Sequence, residues 1–180
     1  MKNTEIEIIL RNFPNFLGCF PKNSLPCDMK KKSKKGNSII INDDKHWIAL
    51  YLTEKEVLYF NSLGSKYMSK TSRQVRTRRD LITVDKEYVD KKILEFLNMY
   101  YDKVNFSIIA NNLQIQPLGT LNCALYCIAF VKHVMQFDRF LDFIRKFTPI
   151  SDYDEKKQII ASLHNDKVLS DLLLFDYVRR

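Results

Sequence analysis

This chain of 180 residues lacks the features that mark membrane and secreted proteins. It has no run of about 18 apolar residues, which a membrane-spanning helix would require. Its first residues, Met1–Glu7, are too acidic and too polar for a secretory signal. We therefore expect a soluble protein that is made in the cytosol, is not secreted and has no membrane partner.

Cysteine is sparse and lacks the spacing of a metal site. Four cysteines in a chain of this length fall far below the density of a disulfide scaffold. There is no Cys-x-x-Cys pair and the three histidines are scattered, so four convergent zinc ligands are not expected. We therefore expect reduced thiols, no metal and no required cofactor.

The β-branched and aromatic residues stand in short runs separated by polar turns, as consecutive antiparallel strands require. The simplest arrangement is a three-strand meander with strands at 38–41, 46–52 and 57–60. A further strand is expected at 104–109. Residues 15–21 are interpreted instead as a turn-rich apolar segment that packs on the core.

Apolar residues at helical spacing predict the remaining elements. Residues 123–137 are apolar almost all round, which indicates a buried central helix. Other helices are expected at 5–12, 88–100, 138–147, 152–164 and 166–177. Because 46% of the residues are hydrophobic, the chain can form a real core. We predict one α+β domain over residues 1–180, with residues 137–180 as a helical extension packed on it.

All of the net charge of +8 comes from the first half of the chain. Residues 1–80 contain 16 Lys and Arg against 8 Asp and Glu, whereas residues 81–180 contain 13 of each kind. Basic runs of this type suit non-specific contacts with DNA phosphates, although solvated loops have the same composition. Aromatic residues are not interleaved with the charges as a base-stacking platform needs. The candidate nucleic-acid-binding residues are Lys30, Lys31, Lys32, Lys34, Lys35, Arg73, Arg76, Arg78 and Arg79.

A cysteine at the start of the predicted central helix is the candidate nucleophile. The helix dipole and a nearby imidazolium stabilise a thiolate at that position, which makes Cys123 suitable for attack. Gln116, seven residues earlier, can donate a side-chain N–H to an oxyanion beside the Cys123 backbone N–H. Cys127 lies one turn further into the helix and should be buried and inert. Taken alone, either cysteine would be interpreted as a small core residue.

A histidine and an asparagine lie at the ends of neighbouring predicted strands. His46 begins one strand, and Asn61 follows the end of the next, so a meander can bring the two together. His46 would act as general base and then as general acid, with its second ring nitrogen held by the Asn61 amide oxygen. The simpler alternative makes His46 a surface residue at a strand start and Asn61 a turn former.

Taken in order, these residues resemble the adenovirus-type maturation proteases, within the larger group that includes the SUMO-deconjugating peptidases. The resemblance extends from about Phe16 to Gln136. It is carried by Phe16-Leu17-Gly18, Phe20, His46-Trp47, Asn61 after a Tyr-Phe strand end, Gly64, Gln116, Cys123 and Cys127. It implies a papain-like core with a mixed or antiparallel central sheet packed against helices. It also implies that Trp47 shields the imidazole and contributes to substrate binding.

The resemblance further implies a cysteine endopeptidase that cleaves virion or capsid precursor proteins after small, often glycine, residues. Its setting would be the virion and the host cytoplasm or nucleus, and the protein would be a monomer. DNA or a viral peptide could activate it. Residues 105–115 contain no cysteine, so a covalent peptide tether is not expected. Asn61 replaces the usual carboxylate, which suggests a Cys-His-Asn triad and a less strongly held imidazolium.

Two other functions fit the sequence. The first is a deconjugating protease for a ubiquitin-like modifier, because that group has the same constellation of site positions and a preference for a Gly-Gly end. The second is a catalytically silent, DNA-associated binding protein that uses the basic loops. Loss of one of the four site residues would favour the silent protein, and none is lost.

Overall fold

The structure is a computed structural model, and it describes residues 1–27, 29, 36–44, 46–64, 80–102, 104–137, 139–150 and 155–174. Within these ranges, six strands form one mixed sheet in the order β1-β2-β3-β4-β6-β5. The strands are β1 Phe16–Pro21, β2 Asn37–Asp43, β3 His46–Leu52, β4 Glu56–Phe60, β5 Leu81–Thr83 and β6 Ser107–Asn111.

The predicted meander is confirmed. Strands β2, β3 and β4 are consecutive and antiparallel, with Asp43 opposite His46 and Ala49 opposite Phe60. The β-branched and aromatic runs that predicted these strands fill both faces of the sheet centre. The N-terminal end of β3 and the C-terminal end of β4 therefore lie next to each other at one end of these two strands.

Three strands differ from the sequence prediction. Residues 15–21 do not form a turn-rich segment, because β1 pairs in parallel with β2 after a register shift between Phe16 and Gly18. Strand β5 has only three residues and pairs with β6, which in turn runs parallel to β4. Strand β6 begins three residues later than predicted and ends at Asn111, beside the end of β4.

The helices are α1 Asn3–Leu10, α2 Lys91–Tyr101, α3 Cys123–Phe137, α4 Phe140–Ile144 and α5 Glu155–Leu174. Helix α3 has the predicted bounds, and most of its residues are buried. The two helices predicted at 152–164 and 166–177 are one continuous helix, α5. Helices α1, α4 and α5 all pack against α3.

Alternation of side chains along the strands produces two apolar cores, one on each face of the sheet. Ala49 and Tyr51 of β3 pack on the face covered by α3, whereas Ile48 and Leu50 pack on the face covered by α2. The sheet is thus a middle layer between helices, which agrees with the predicted α+β class. In the described part of the chain, no helix is both long and apolar enough to cross a bilayer.

Candidate active site

Pairing of β3 with β4 brings His46 and Asn61 together at adjacent strand ends. His46 is the first residue of β3 and Asn61 directly follows β4, so antiparallel pairing places their side chains side by side. The Nε2 atom of His46 lies 2.8 Å from Oδ1 of Asn61, which is a good hydrogen-bond distance.

A second hydrogen bond fixes the orientation of the Asn61 amide. The backbone N–H of Leu63 donates to Asn61 Oδ1 at 3.0 Å, so this atom must be the oxygen. Because that oxygen only accepts, His46 donates from Nε2. In the neutral ring the other nitrogen, Nδ1, then carries the lone pair that can take a proton.

The surroundings of His46 favour its neutral form. Burial lowers the pKa of the imidazole below its ordinary value, against smaller upward effects of the Asn61 hydrogen bond and the Asp43 charge. Asp43 itself forms an ion pair with Lys22, whose Nζ also lies 3.2 Å from a carboxylate oxygen of Asp90. The acidic side chain opposite His46 is thus partly neutralised by a lysine.

Asn111, at the end of β6, holds the backbone of Asn61 from both sides. Its Oδ1 accepts from the Asn61 N–H at 2.9 Å, and its Nδ2 donates to the Asn61 carbonyl at 2.6 Å and to the Leu113 carbonyl at 3.1 Å. Asn111 is fully buried. The sequence analysis missed this residue, although a polar residue at the end of an apolar strand is a signal that could have drawn attention to it.

Gln116 lies next to this cluster and is only 2% exposed. Its Oε1 accepts from the Ser62 hydroxyl at 2.6 Å, and its Nε2 donates to the carbonyl and the hydroxyl oxygens of Thr120, each at 2.9 Å. The backbone N–H groups of Ile115 and Gln116 both donate to the Ser62 carbonyl. Hydrogen bonds to Ser62, the residue after Asn61, therefore hold the loop that carries Gln116.

Cys123 is the first residue of α3, as the sequence predicted, and its exposed fraction is 5%. It belongs to the same apolar cluster as Trp47 and Ala124, where α3 packs on β3. Among the hydrogen bonds of the described residues, none joins Cys123 to His46. Trp47, the predicted substrate-binding residue, is nearly buried in that cluster.

The two other buried thiols, Cys127 and Cys19, both have raised pKa values. Complete burial raises the pKa of the Cys127 thiol, and the neighbouring cysteines Cys123 and Cys19 add to the effect. Burial, together with the charge of Glu7, raises the pKa of Cys19 to about 12. Both groups are therefore protonated at neutral pH and are poor nucleophiles, as was predicted for Cys127.

The candidate DNA-binding residues, Lys30 to Lys35 and Arg73 to Arg79, lie outside the described residues. Their proposed role stays a prediction. Within the described ranges, no group of three or more His, Cys, Asp or Glu side chains is arranged to hold a metal ion.

No protein-family model matches this chain, and no curated protein is similar enough in sequence to count as a match. Among solved structures, the chain is similar to the central domain of the uncharacterized Lpg1148 protein from Legionella pneumophila. That likeness has 12% identity and a TM-score of 0.49, and it covers 96% of this chain and 97% of that one.

The chain is also similar to a de-sumoylating protease, with 17% identity, a TM-score of 0.42 and coverage of 94% of this chain and 74% of that one. Both likenesses are too distant to assign an activity. The chemistry of the site has to be inferred from its side-chain contacts.

Proposed function

We propose that this protein is a cysteine endopeptidase in which Cys123 is the nucleophile and His46 transfers protons. The observation that supports this most directly is the 2.8 Å hydrogen bond between His46 Nε2 and Asn61 Oδ1. It orients the ring and leaves Nδ1 to act as the base. A histidine held in this way, together with a cysteine at a helix N-terminus, has the parts that activate a thiol.

The proposed reaction begins when the Cys123 thiol gives its proton to Nδ1 of His46. The resulting thiolate attacks the peptide carbonyl, and a tetrahedral oxyanion forms. The imidazolium then gives the proton to the leaving amine as the C–N bond breaks, which leaves a thioester. Water, activated by His46, attacks the thioester and releases the acid and the free thiol.

The oxyanion would be stabilised by the Cys123 backbone N–H and by the side-chain N–H of Gln116. Both donated hydrogen bonds of Gln116 go to Thr120 in the unliganded protein. Substrate binding therefore has to draw one of these N–H groups away from Thr120. Hydrogen bonds in unliganded sites commonly rearrange in this way, and the same holds for the approach of His46 to Cys123.

The imidazolium that forms during the reaction is stabilised by two neighbours. The Asn61 oxygen accepts its Nε2 hydrogen bond, and the negative charge of Asp43 also raises the pKa of the ring. These effects oppose burial, which disfavours the charged form. The triad therefore holds the charge less strongly than one with a carboxylate in place of Asn61.

The substrates that we propose are virion and capsid precursor proteins, cut after small, glycine-containing motifs in the virion or the infected cell, as the sequence resemblance implies. The basic residues at 30–35 and 73–79 would hold the enzyme near packaged DNA. Weaker association with DNA at high salt is the expected signature of such contacts.

Cleavage assays on the purified protein test the proposal. The substrates are unfolded glycine-containing peptides and a folded ubiquitin-like modifier that ends in Gly-Gly and is fused to a reporter protein, each with and without DNA. We expect peptide cleavage that is lost in Cys123→Ala and His46→Ala. Cys127→Ala is the matched control and should keep its activity.

If only the folded fusion is cleaved, and not the peptides, the protein is a deconjugating protease rather than a maturation protease. If neither substrate is cut with or without DNA, or if Cys123→Ala cuts as well as the wild type, the peptidase proposal is wrong. If neither substrate is cut but the protein binds DNA, the result favours the silent DNA-associated protein.

A further inference from the structure

Ser62 lies between the two parts of the proposed active site, and its side chain is fully buried. Its hydroxyl donates to Gln116 Oε1 at 2.6 Å, although 54 residues separate the two in the chain. Its carbonyl accepts from the N–H groups of Ile115 and Gln116, at 2.9 and 3.0 Å. Ser62 is also bonded through its peptide to Asn61, which holds His46.

The contact between Gln116 and Thr120 shows that Ser62 is the donor in its hydrogen bond with Gln116. The carbonyl of Thr120 can only accept a hydrogen bond, so the NH₂ group of Gln116 must face it. The amide oxygen then faces Ser62, whose single hydroxyl hydrogen points toward Gln116. Rotation of the amide by 180° would set its oxygen against the Thr120 carbonyl and leave two acceptors in contact.

We propose that Ser62 is a positioning residue for peptide cleavage. It acts on Gln116 by holding the amide oxygen, so that the N–H groups face Thr120, from which substrate draws one toward the oxyanion. This inference depends on the proposed peptidase function. No hydrogen bond among the described residues joins Ser62 to the Cys123 thiol or the His46 imidazole, so its effect should appear only in steps that need the oxyanion donor.

Removal of the hydroxyl in Ser62→Ala leaves the amide oxygen of Gln116 without its donor, so that only the two contacts with Thr120 hold the amide in place. Misplacement of an oxyanion donor lowers the rate of the chemical step rather than substrate binding. We expect kcat for a glycine-containing fluorogenic peptide to fall about 10-fold to 100-fold, with KM nearly unchanged. Rates are expressed per titrated active site, so that unfolded protein does not count as slow enzyme.

The matched control is Ser38→Ala. Ser38 is another fully buried serine, in β2, and its hydroxyl oxygen has no hydrogen-bond partner among the described residues. This variant removes the same atom from an equally buried site, so kcat should stay at the wild-type value. An equal loss in both variants would mean that Ser62 has only a structural role.

Alkylation of Cys123 by iodoacetamide separates Ser62 from the histidine side of the site. This displacement at carbon needs the thiolate but forms no oxyanion. Ser62→Ala and Gln116→Ala should therefore alkylate at the wild-type rate, whereas Asn61→Ala should react more slowly. Slow alkylation of Ser62→Ala would overturn the inference, because Ser62 would then act through His46 or the fold.

A double variant tests whether Ser62 acts through Gln116. If it does, Ser62→Ala should cause no further loss of kcat when it is added to Gln116→Ala. Multiplicative losses would contradict the inference. Should Ser62→Ala fail to fold, Ser62→Cys keeps nearly the same volume with a weaker donor, and a smaller loss of kcat is expected.

The outcomes also separate this inference from the peptidase proposal. A wild-type protein that cleaves no peptide and does not alkylate selectively at Cys123 would overturn both. A wild-type protein that cleaves and alkylates, with Ser62→Ala equal to Ser38→Ala, would overturn only the role of Ser62.

Discussion

Asn61 presents an amide oxygen to His46 where a carboxylate would add a negative charge. The hydrogen bond raises the pKa of His46, but burial lowers it by more. We expect Asn61→Asp to raise the His46 pKa, because a carboxylate stabilises the imidazolium, and Asn61→Ala to lower it further. NMR titration of the imidazole protons in a Cys123→Ala background measures both shifts.

The His133 resonance in the same spectra is the internal control. Its ring is affected by burial and by Lys146, Arg139 and Asp142, not by Asn61, so its titration should not move. An unchanged His46 pKa in Asn61→Asp would contradict the hydrogen bond on which the site depends.

At the residue scale, order and spacing in the sequence were enough to select His46, Asn61, Gln116 and Cys123 as candidates. They were not enough to find Ser62 or Asn111. The partners of these two residues lie 54 and 50 residues away along the chain, and their contacts follow from pairing between β4 and β6. A single sequence carries no sign of that pairing.

At the scale of elements, Asn111 of β6 holds the backbone of Asn61, which follows β4, through two buried hydrogen bonds, and a third hydrogen bond goes to the part-buried Leu113 carbonyl. Asn111→Ala should lower the free energy of unfolding by about 3 kcal/mol, because these groups lose their partners without regaining water. Urea denaturation measures the change. The exposed Asn105 supplies the control, since Asn105→Ala should change stability by less than about 0.5 kcal/mol. Equal effects would mean that Asn111 is not a structural link.

The long apolar elements were predictable, whereas the strands β1 and β5 were not predicted. Helix α3 and the meander stand out as apolar runs and have nearly the predicted bounds. Strand β1 contains Gly18 and Pro21, which indicate turns, and it forms only because β2 offers a parallel edge. Helix α5 was divided in two because its exposed side carries both apolar and charged residues, which weakens the helical pattern.

At the scale of the whole molecule, two imidazoles make stability depend on pH. Burial lowers the pKa of both His46 and His133 in the folded protein. The unfolded chain therefore binds more protons as pH falls below about 6.5, and the free energy of unfolding should decrease over that range. The loss should stop once pH is below the folded-state pKa values.

Urea denaturation from pH 7.5 to 5 measures this slope. His133→Leu should make it shallower, because one of the two titrating groups is removed. A slope that is unchanged in this variant, or a protein that becomes more stable as pH falls, would contradict the account.

The distribution of charge over the whole chain was visible in the sequence, but its consequence depends on residues outside the described ranges. The DNA-binding role proposed for the basic runs at 30–35 and 73–79 therefore stays a prediction from the sequence. The proposed nucleophile, Cys123, lies within the described residues.

The most direct test of that thiol is the rate of iodoacetamide labelling at each cysteine at neutral pH, mapped by mass spectrometry. Cys27 is exposed and serves as the internal reference, whereas Cys123 is almost buried. Burial alone would make Cys123 the slower of the two. We predict that Cys123 reacts faster than Cys27 and that His46→Ala abolishes this advantage. Slower labelling of Cys123 than of Cys27, or fast labelling that persists in His46→Ala, would contradict the proposed nucleophile and base.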